Sequence, residues 1–162
     1  MSDITGLDRT DFNILSILAK DARTSNKEIA AAVGLAPSSC HERLKVLREK
    51  KVLLGAHAEI DLRALGLSIE AIFFIQLKKV GAAKLDDYLR KTAEVTEVRS
   101  VYLISGPFDM VVHVAVDSMD RLKRVISDHF HQVFVNRVET SIVFNRVEQH
   151  SLPDLGMYRS DE

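Results

Sequence analysis

Residues 25–51 carry the tightest local instructions in the chain. Ser25 stands three residues before Glu28, so the serine oxygen and the glutamate carboxylate can each satisfy a backbone amide left unpaired where a helix begins. The spacing predicts a short helix through Ile29, Ala30 and Val33. Gly34 ends it, because a left-handed backbone costs little only for glycine, and Pro37 opens the next helix where its missing N–H is no loss. That next helix runs through Cys40, Leu44 and Leu47, which share one face, and ends at Lys50 and Lys51. At ~1.5 Å per residue it is roughly 22 Å long. An earlier helix, capped at Asp8, carries Phe12, Ile14, Leu15, Ile17 and Leu18 at helical spacing up to Asp21. Short helices joined by a glycine-containing turn make a helix-turn-helix.

Residues 52–60 lose the helical period and contain Gly55, which predicts a short two-stranded wing. Residues 61–67 turn at Gly66 and read as a linker. From Ser68 the period becomes two: Ile69, Ala71, Phe73, Ile75 and Leu77 point one way, and Glu70, Ile72, Phe74, Gln76 and Lys78 the other. A helix with Leu85, Tyr88 and Leu89 follows, then strands near 97–104 and 109–116. Next come a helix from Met119 to Phe130 and a last strand over 136–147. The order βαββαβ is the ferredoxin-like pattern. The fold class is therefore α+β: a winged helix-turn-helix over 1–60, the linker 61–67, a ferredoxin-like domain over 68–150 and a tail over 151–162.

A net charge of −1 over 162 residues gives no general affinity for polyanions, so any contact with DNA must come from a local patch. Residues 37–51 supply one, with Arg43, Lys45, Arg48, Lys50 and Lys51 outnumbering Glu42 and Glu49 by three charges. In a helix-turn-helix the second helix enters the major groove, which places Ser38, Ser39, His41 and Glu42 at base edges and Arg43 and Lys45 near phosphates. Arg43 could instead brace the fold through a carboxylate. Thr24, Ser25, Asn26 and Lys27, at the start of the preceding helix, offer hydroxyls, an amide and backbone amides to the DNA backbone. The bland alternative is a three-helix subdomain whose polar face is simply solvated.

The single cysteine, Cys40, rules out an intrachain disulfide, reads as a small buried apolar residue, and fits a reducing compartment. Residues 1–10 lack an apolar signal core and no apolar run reaches bilayer length, so the expectation is a cytosolic protein without a membrane partner. Neither paired catalytic carboxylates nor a nucleophile elbow nor a phosphate-binding glycine loop is legible, and His129 and His131 are spaced to opposite sides of a helix. The expectation is a non-enzyme with no catalytic residue, no metal site and no cofactor.

The four-stranded sheet, with both helices on one face, should leave its other face polar, yet Ile72 and Phe74 lie there and the run Met110, Val111, Val112 is apolar on both sides. Such a patch marks an interface, and Ile72 and Phe74 are assigned to a twofold dimer. Cover by a loop or by the tail within one chain is the alternative. The loop Ser105, Gly106, Pro107, Phe108, Asp109 joins two central strands; its free amides could hold a carboxylate and Asp109 an ammonium, the two ends of an amino acid. A tight turn in which Asp109 bonds backbone is the plainer reading.

The chain resembles the Lrp/AsnC, or feast/famine, family of transcriptional regulators. The likeness rests on Leu7, Asp8, Asp11, Ile14, Leu15 and Leu18, on Asp21, Arg23, Ser25, Glu28, Ile29 and Ala30, and on Val33, Gly34, Leu35, Ser38, Cys40, Arg43, Leu44 and Leu47. In the second half it rests on Ser105, Gly106, Phe108 and Asp109 and on Thr140, Ser141, Ile142 and Val143. What the resemblance implies is a regulator that binds double-stranded DNA, a C-terminal RAM domain that takes an amino-acid effector, and dimers that assemble into tetramers or octamers. It also implies that Thr140 and Ser141 lend hydroxyls to a neighbouring subunit's effector site. Pro107 and Phe108 depart from the family, many of whose members carry an acidic or polar residue and a tyrosine there. A ligand-independent architectural DNA binder is the second reading.

Overall fold

A computed structural model describes residues 6–79 and 81–152. The chain divides into two compact units, one reaching to Glu59 and resuming at Val147, the other spanning Ile60–Arg146.

The first unit is built on α1 (Arg9–Lys20), α2 (Asn26–Ala32) and α3 (Pro37–Glu49). Two helices begin with reciprocal caps. The Asp8 carboxylate accepts from the Asp11 amide at 2.9 Å while Asp11 accepts from the Asp8 amide at 3.1 Å, and Ser25 and Glu28 repeat the arrangement on α2. Gly34 sits at φ +71°, the left-handed conformation expected of it, and Pro37 occupies the first turn of α3. Ile14, Ile29, Ala30, Cys40, Leu44 and Leu47 form the core, with Leu7, Leu15, Leu18 and Leu53 packed around it.

The two-stranded hairpin expected over 52–60 is not formed, for no strand occurs there. Leu53 turns inward, but Leu54 is 86% exposed, so a ribbon at this place would have no apolar face to bury. Two isolated strands are marginal in water without such a face.

The second unit contains β1 (Ile69–Leu77), α4 (Ala82–Ala93), β2 (Val98–Leu103), β3 (Met110–Val116), α5 (Met119–Val125) and β4 (Val135–Val143). The sheet is antiparallel in the order β2-β3-β1-β4, as the βαββαβ reading requires. Ala71, Phe73, Ile75, Met110, Val112, Val114 and Val116 meet Tyr88, Leu122, Val125 and Phe130 from the helices in one core. Phe73 and Phe130 pack edge to face at 5.1 Å.

Two ends differ from the sequence reading. The helix after Met119 widens to a π-helical turn over Ile126–Phe130, which carries Phe130 fully into the core. The last strand stops at Val143 rather than at 147, because Val143 pairs with Glu70 and β1 offers no partner beyond Ile69. Among the described residues no helix is long and apolar enough to cross a membrane.

Candidate nucleic-acid interface and ligand loop

On α3 the apolar stripe Cys40, Leu44 and Leu47 is buried, which turns Ser38, Ser39, His41, Glu42 and Lys45 outward, all exposed. None of these five makes a hydrogen bond or ion pair among the described residues, so all present free polar groups at the surface. Arg48 is equally exposed and unpaired, whereas Lys50 donates from Nζ to the Gly6 carbonyl at 3.1 Å.

Arg43 is different. One guanidinium nitrogen bridges the carboxylates of Asp8 at 2.7 Å and Asp11 at 2.8 Å, joining α3 to the start of α1. Of the two roles open to Arg43 from sequence, the structure places it in the brace. Partial burial works against the Asp8 carboxylate, but the Asp11 amide and the Arg43 guanidinium outweigh it and hold its pKa below the ordinary value. Hydrogen bonds to Asp11 and Asp8 push Arg43 further above its own.

The start of α2 is also largely engaged with itself. The Thr24 hydroxyl donates to the Asp21 carbonyl at 2.8 Å, the Ser25 hydroxyl donates to Glu28 at 2.7 Å, and the Asn26 amide donates to the Pro37 carbonyl at 2.8 Å. That last bond ties the starts of α2 and α3 together across the turn. Lys27 alone of the four keeps an unengaged polar group facing solvent. Its neighbours thus pre-form the motif rather than offer free side-chain donors.

Cys40 is fully buried, and burial pushes its thiol above the ordinary value, against a smaller opposing pull from Arg43. A thiol so placed is a packing group.

In the second unit the loop of Ser105, Gly106 and Pro107 is exposed, with Gly106 at φ +132°. Asp109 does not stand free: its carboxylate accepts from the Leu77 amide at 2.7 Å, and its own amide donates to the Ile75 carbonyl at 2.9 Å. The loop is therefore stitched to the end of β1 through the backbone, the plainer of the two sequence readings, and one carboxylate oxygen is committed there. Phe108 folds back so that its ring lies 5.5 Å from that of Phe74. No pattern in the sequence announced that contact.

Thr140 pairs with Phe73 and Ser141 with Ile72, so the two hydroxyls stand on opposite faces of the sheet, Thr140 with the helices and Ser141 on the open side. They belong to β4, two strands away from β3, which carries the loop, so one chain does not gather them with residues 105–109.

Ile72 and Phe74 are half-buried on the open face. Register puts Tyr102, Val111, Phe74 and Glu139 in one row and Ser100, His113, Ile72 and Ser141 in the next. The centre is apolar, as expected, but charges flank it. His113 meets Glu70 at 2.8 Å with Arg146 at 3.4 Å from the same carboxylate, and Arg137 meets Glu139 at 2.5 Å. His129 and His131 line different cavities. Exposed Glu59, Glu148 and His150 bring one ligand atom each within 4.8 Å of one another, a grouping the sequence did not disclose.

Comparison with known proteins agrees with this architecture. Residues 7–53 match the family described as winged helix-turn-helix DNA-binding, and residues 70–153 match the Lrp/AsnC ligand binding domain. The chain is 31% identical to the HTH-type transcriptional regulator AldR of Mycobacterium tuberculosis over 87% of its own length and 79% of that protein's. It is 29% identical to the leucine-responsive regulatory protein of Escherichia coli, over 88% of each. Among solved structures, a transcriptional regulator of Neisseria meningitidis in complex with L-Met superposes with a TM-score of 0.84 at 25% identity, covering 93% of this chain and 99% of that one. The fold and the exposed α3 face define a helix-turn-helix transcriptional regulator with a ligand-binding domain. The chain belongs to the Lrp/AsnC family.

Proposed function

We propose that this regulator acts as a twofold dimer, built on the open sheet face around Ile72, Phe74 and Val111, that seats α3 of each protomer in the major groove of double-stranded DNA. The observation that carries the reading is the clean division of α3: a buried stripe of Cys40, Leu44 and Leu47 against an outward face of unpaired Ser38, Ser39, His41, Glu42 and Lys45. Serine and histidine at base edges give discrimination, while Lys45 and Arg48, with Lys27 beside the turn, supply phosphate contacts. Arg43, by contrast, fixes the angle at which α3 is presented. The protein works by binding rather than by catalysis, as do the regulators it resembles, and in a cytosolic setting.

The second element of the proposal is that an amino acid or related metabolite at the 105–109 loop modulates DNA affinity. The match to a ligand-binding domain supports it, as does the solved relative holding L-Met. Ser141 on the open face can reach such a ligand only from another subunit, so the site would be completed by assembly. One observation favours the architectural reading instead: Asp109 is committed to the Leu77 amide, and Pro107 has no amide to give.

Selection of bound fragments from a random DNA pool, followed by titration of the common amino acids at two salt concentrations, tests both. A consensus with two half-sites and an affinity change with one amino acid is expected. An enriched consensus without any amino-acid effect would leave the DNA reading and remove the sensor.

A further inference from the structure

The first turn of α3 carries Ser38 and Ser39, the outward hydroxyls nearest the start of the helix, yet no side-chain cap secures it. Ala36, at the capping position, has none to offer, and the turn before it passes through Gly34, where even an added Cβ would meet no atom within 4 Å. The one side-chain hydrogen bond to that first turn among the described residues comes from another helix. The Asn26 amide nitrogen, at the start of α2, donates to the Pro37 carbonyl at 2.8 Å. Ser38 and Ser39 are the next two residues along the chain.

Stability does not account for this bond. Asparagine is a mediocre residue inside a helix, and the start of α2 is already capped by Ser25 and Glu28, so the helix has no local need of Asn26. The other amide atom, Oδ1, is buried and has no hydrogen-bond partner among the described residues. Turning the amide round brings no relief, because the Pro37 carbonyl only accepts and must face the nitrogen. An unmet buried acceptor costs at least as much as one net hydrogen bond returns, so the side chain adds little to folding. What it fixes is geometry, the placing of the start of α3 against the start of α2.

We infer, resting on the groove reading of α3 proposed above, that Asn26 is a positioning residue for sequence readout: it touches no base, and through the Pro37 carbonyl it sets where the Ser38 and Ser39 hydroxyls meet base edges. Hydrogen bonds to bases weaken steeply once distance or angle drifts, whereas the attraction of a lysine for a phosphate falls off gently. Loosening the tie therefore degrades discrimination before it degrades affinity. Arg43 holds the same helix further along through Asp8 and Asp11, so without Asn26 the helix stays docked while its reading end gains play.

The experiment measures affinity by fluorescence anisotropy on two DNA fragments of equal length, the one that the wild-type full chain enriches from a random pool and a scrambled version of it. The ratio of the two affinities is the readout. Asn26→Ala should lower that ratio about fivefold or more, the low end of what one good base contact is worth, while binding to the scrambled fragment changes less than about twofold. Asn26→Asp suits a helix start but cannot donate, so it should lower the ratio as much, even though its charge weakens binding to both fragments alike. It stays informative if Asn26→Ala folds poorly. In a chain already carrying Ser38→Ala and Ser39→Ala, Asn26→Ala should leave the ratio nearly unchanged. A uniform loss on both fragments in Asn26→Ala would make Asn26 a contact to the DNA backbone, and a fall in ratio that persists without the two serines would place its action elsewhere; either overturns the assignment. An unchanged ratio in both folded variants would overturn it too and leave the groove reading intact, whereas a wild type that enriches no fragment would remove both.

Discussion

Arg43 shows what a single side chain decides in the first unit. Its ion pairs with Asp8 and Asp11 are about one-third exposed on the arginine side, so solvent screening keeps their contribution modest. Arg43→Ala should cost about 1–2 kcal/mol in urea denaturation. The same substitution should leave the salt dependence of DNA binding nearly unchanged, the reverse of what a phosphate contact would give. The sequence offered both roles, since an arginine on a candidate recognition helix can face either way until the partner helix is placed. Only the approach of α1 to α3 brings Asp8 and Asp11 within reach, and nothing in the local spacing encodes it. Acid sensitivity follows from the same cluster. Because the folded state holds the Asp8 pKa below its ordinary 3.8, the stabilisation is complete above that value and is lost as pH falls through the lower folded one. Asp8→Asn should therefore flatten the stability profile below about pH 4, as read by circular dichroism.

At the level of elements, punctuation was the most legible part of the chain. Asp8, Ser25 with Glu28, Gly34 and Pro37 each mark a helix boundary that the structure reproduces, because each acts within a turn of its own position. Boundaries that depend on a distant partner were not legible: β4 ends where β1 ends, and 52–60 makes no ribbon for want of a surface to cover. The π-helical turn after α5 serves the burial of Phe130, which is a demand of the sheet rather than of the local sequence. Gly34→Ala meets no atom within 4 Å, so its cost should be backbone strain alone, about 1–2 kcal/mol in chemical denaturation. For α3, Lys45→Ala and Arg48→Ala should each lower the slope of log affinity against log salt by about 0.9 on any DNA sequence, measured by fluorescence anisotropy. Ser39→Ala or His41→Ala should instead change which sequences are preferred.

For the molecule as a whole, the sheet has one face closed by helices and another that is apolar at its centre and charged at its margins. Phe74→Asp should convert the assembly to monomer in sedimentation, and DNA affinity should fall with it, because two half-sites would no longer be held by one particle. The alternation of β1 was enough to place Ile72 and Phe74 on that face, but not to show that Phe108 from the 105–109 loop lies against Phe74. This ring contact has a thermodynamic meaning. A ligand that requires Phe108 to leave Phe74 must alter the surface on which another subunit would rest, and coupling between two binding events is reciprocal. The midpoint of such a ligand's titration should then drift as the protein is diluted through its dissociation constant. A midpoint independent of dilution would show the loop and the sheet to be separate ledgers.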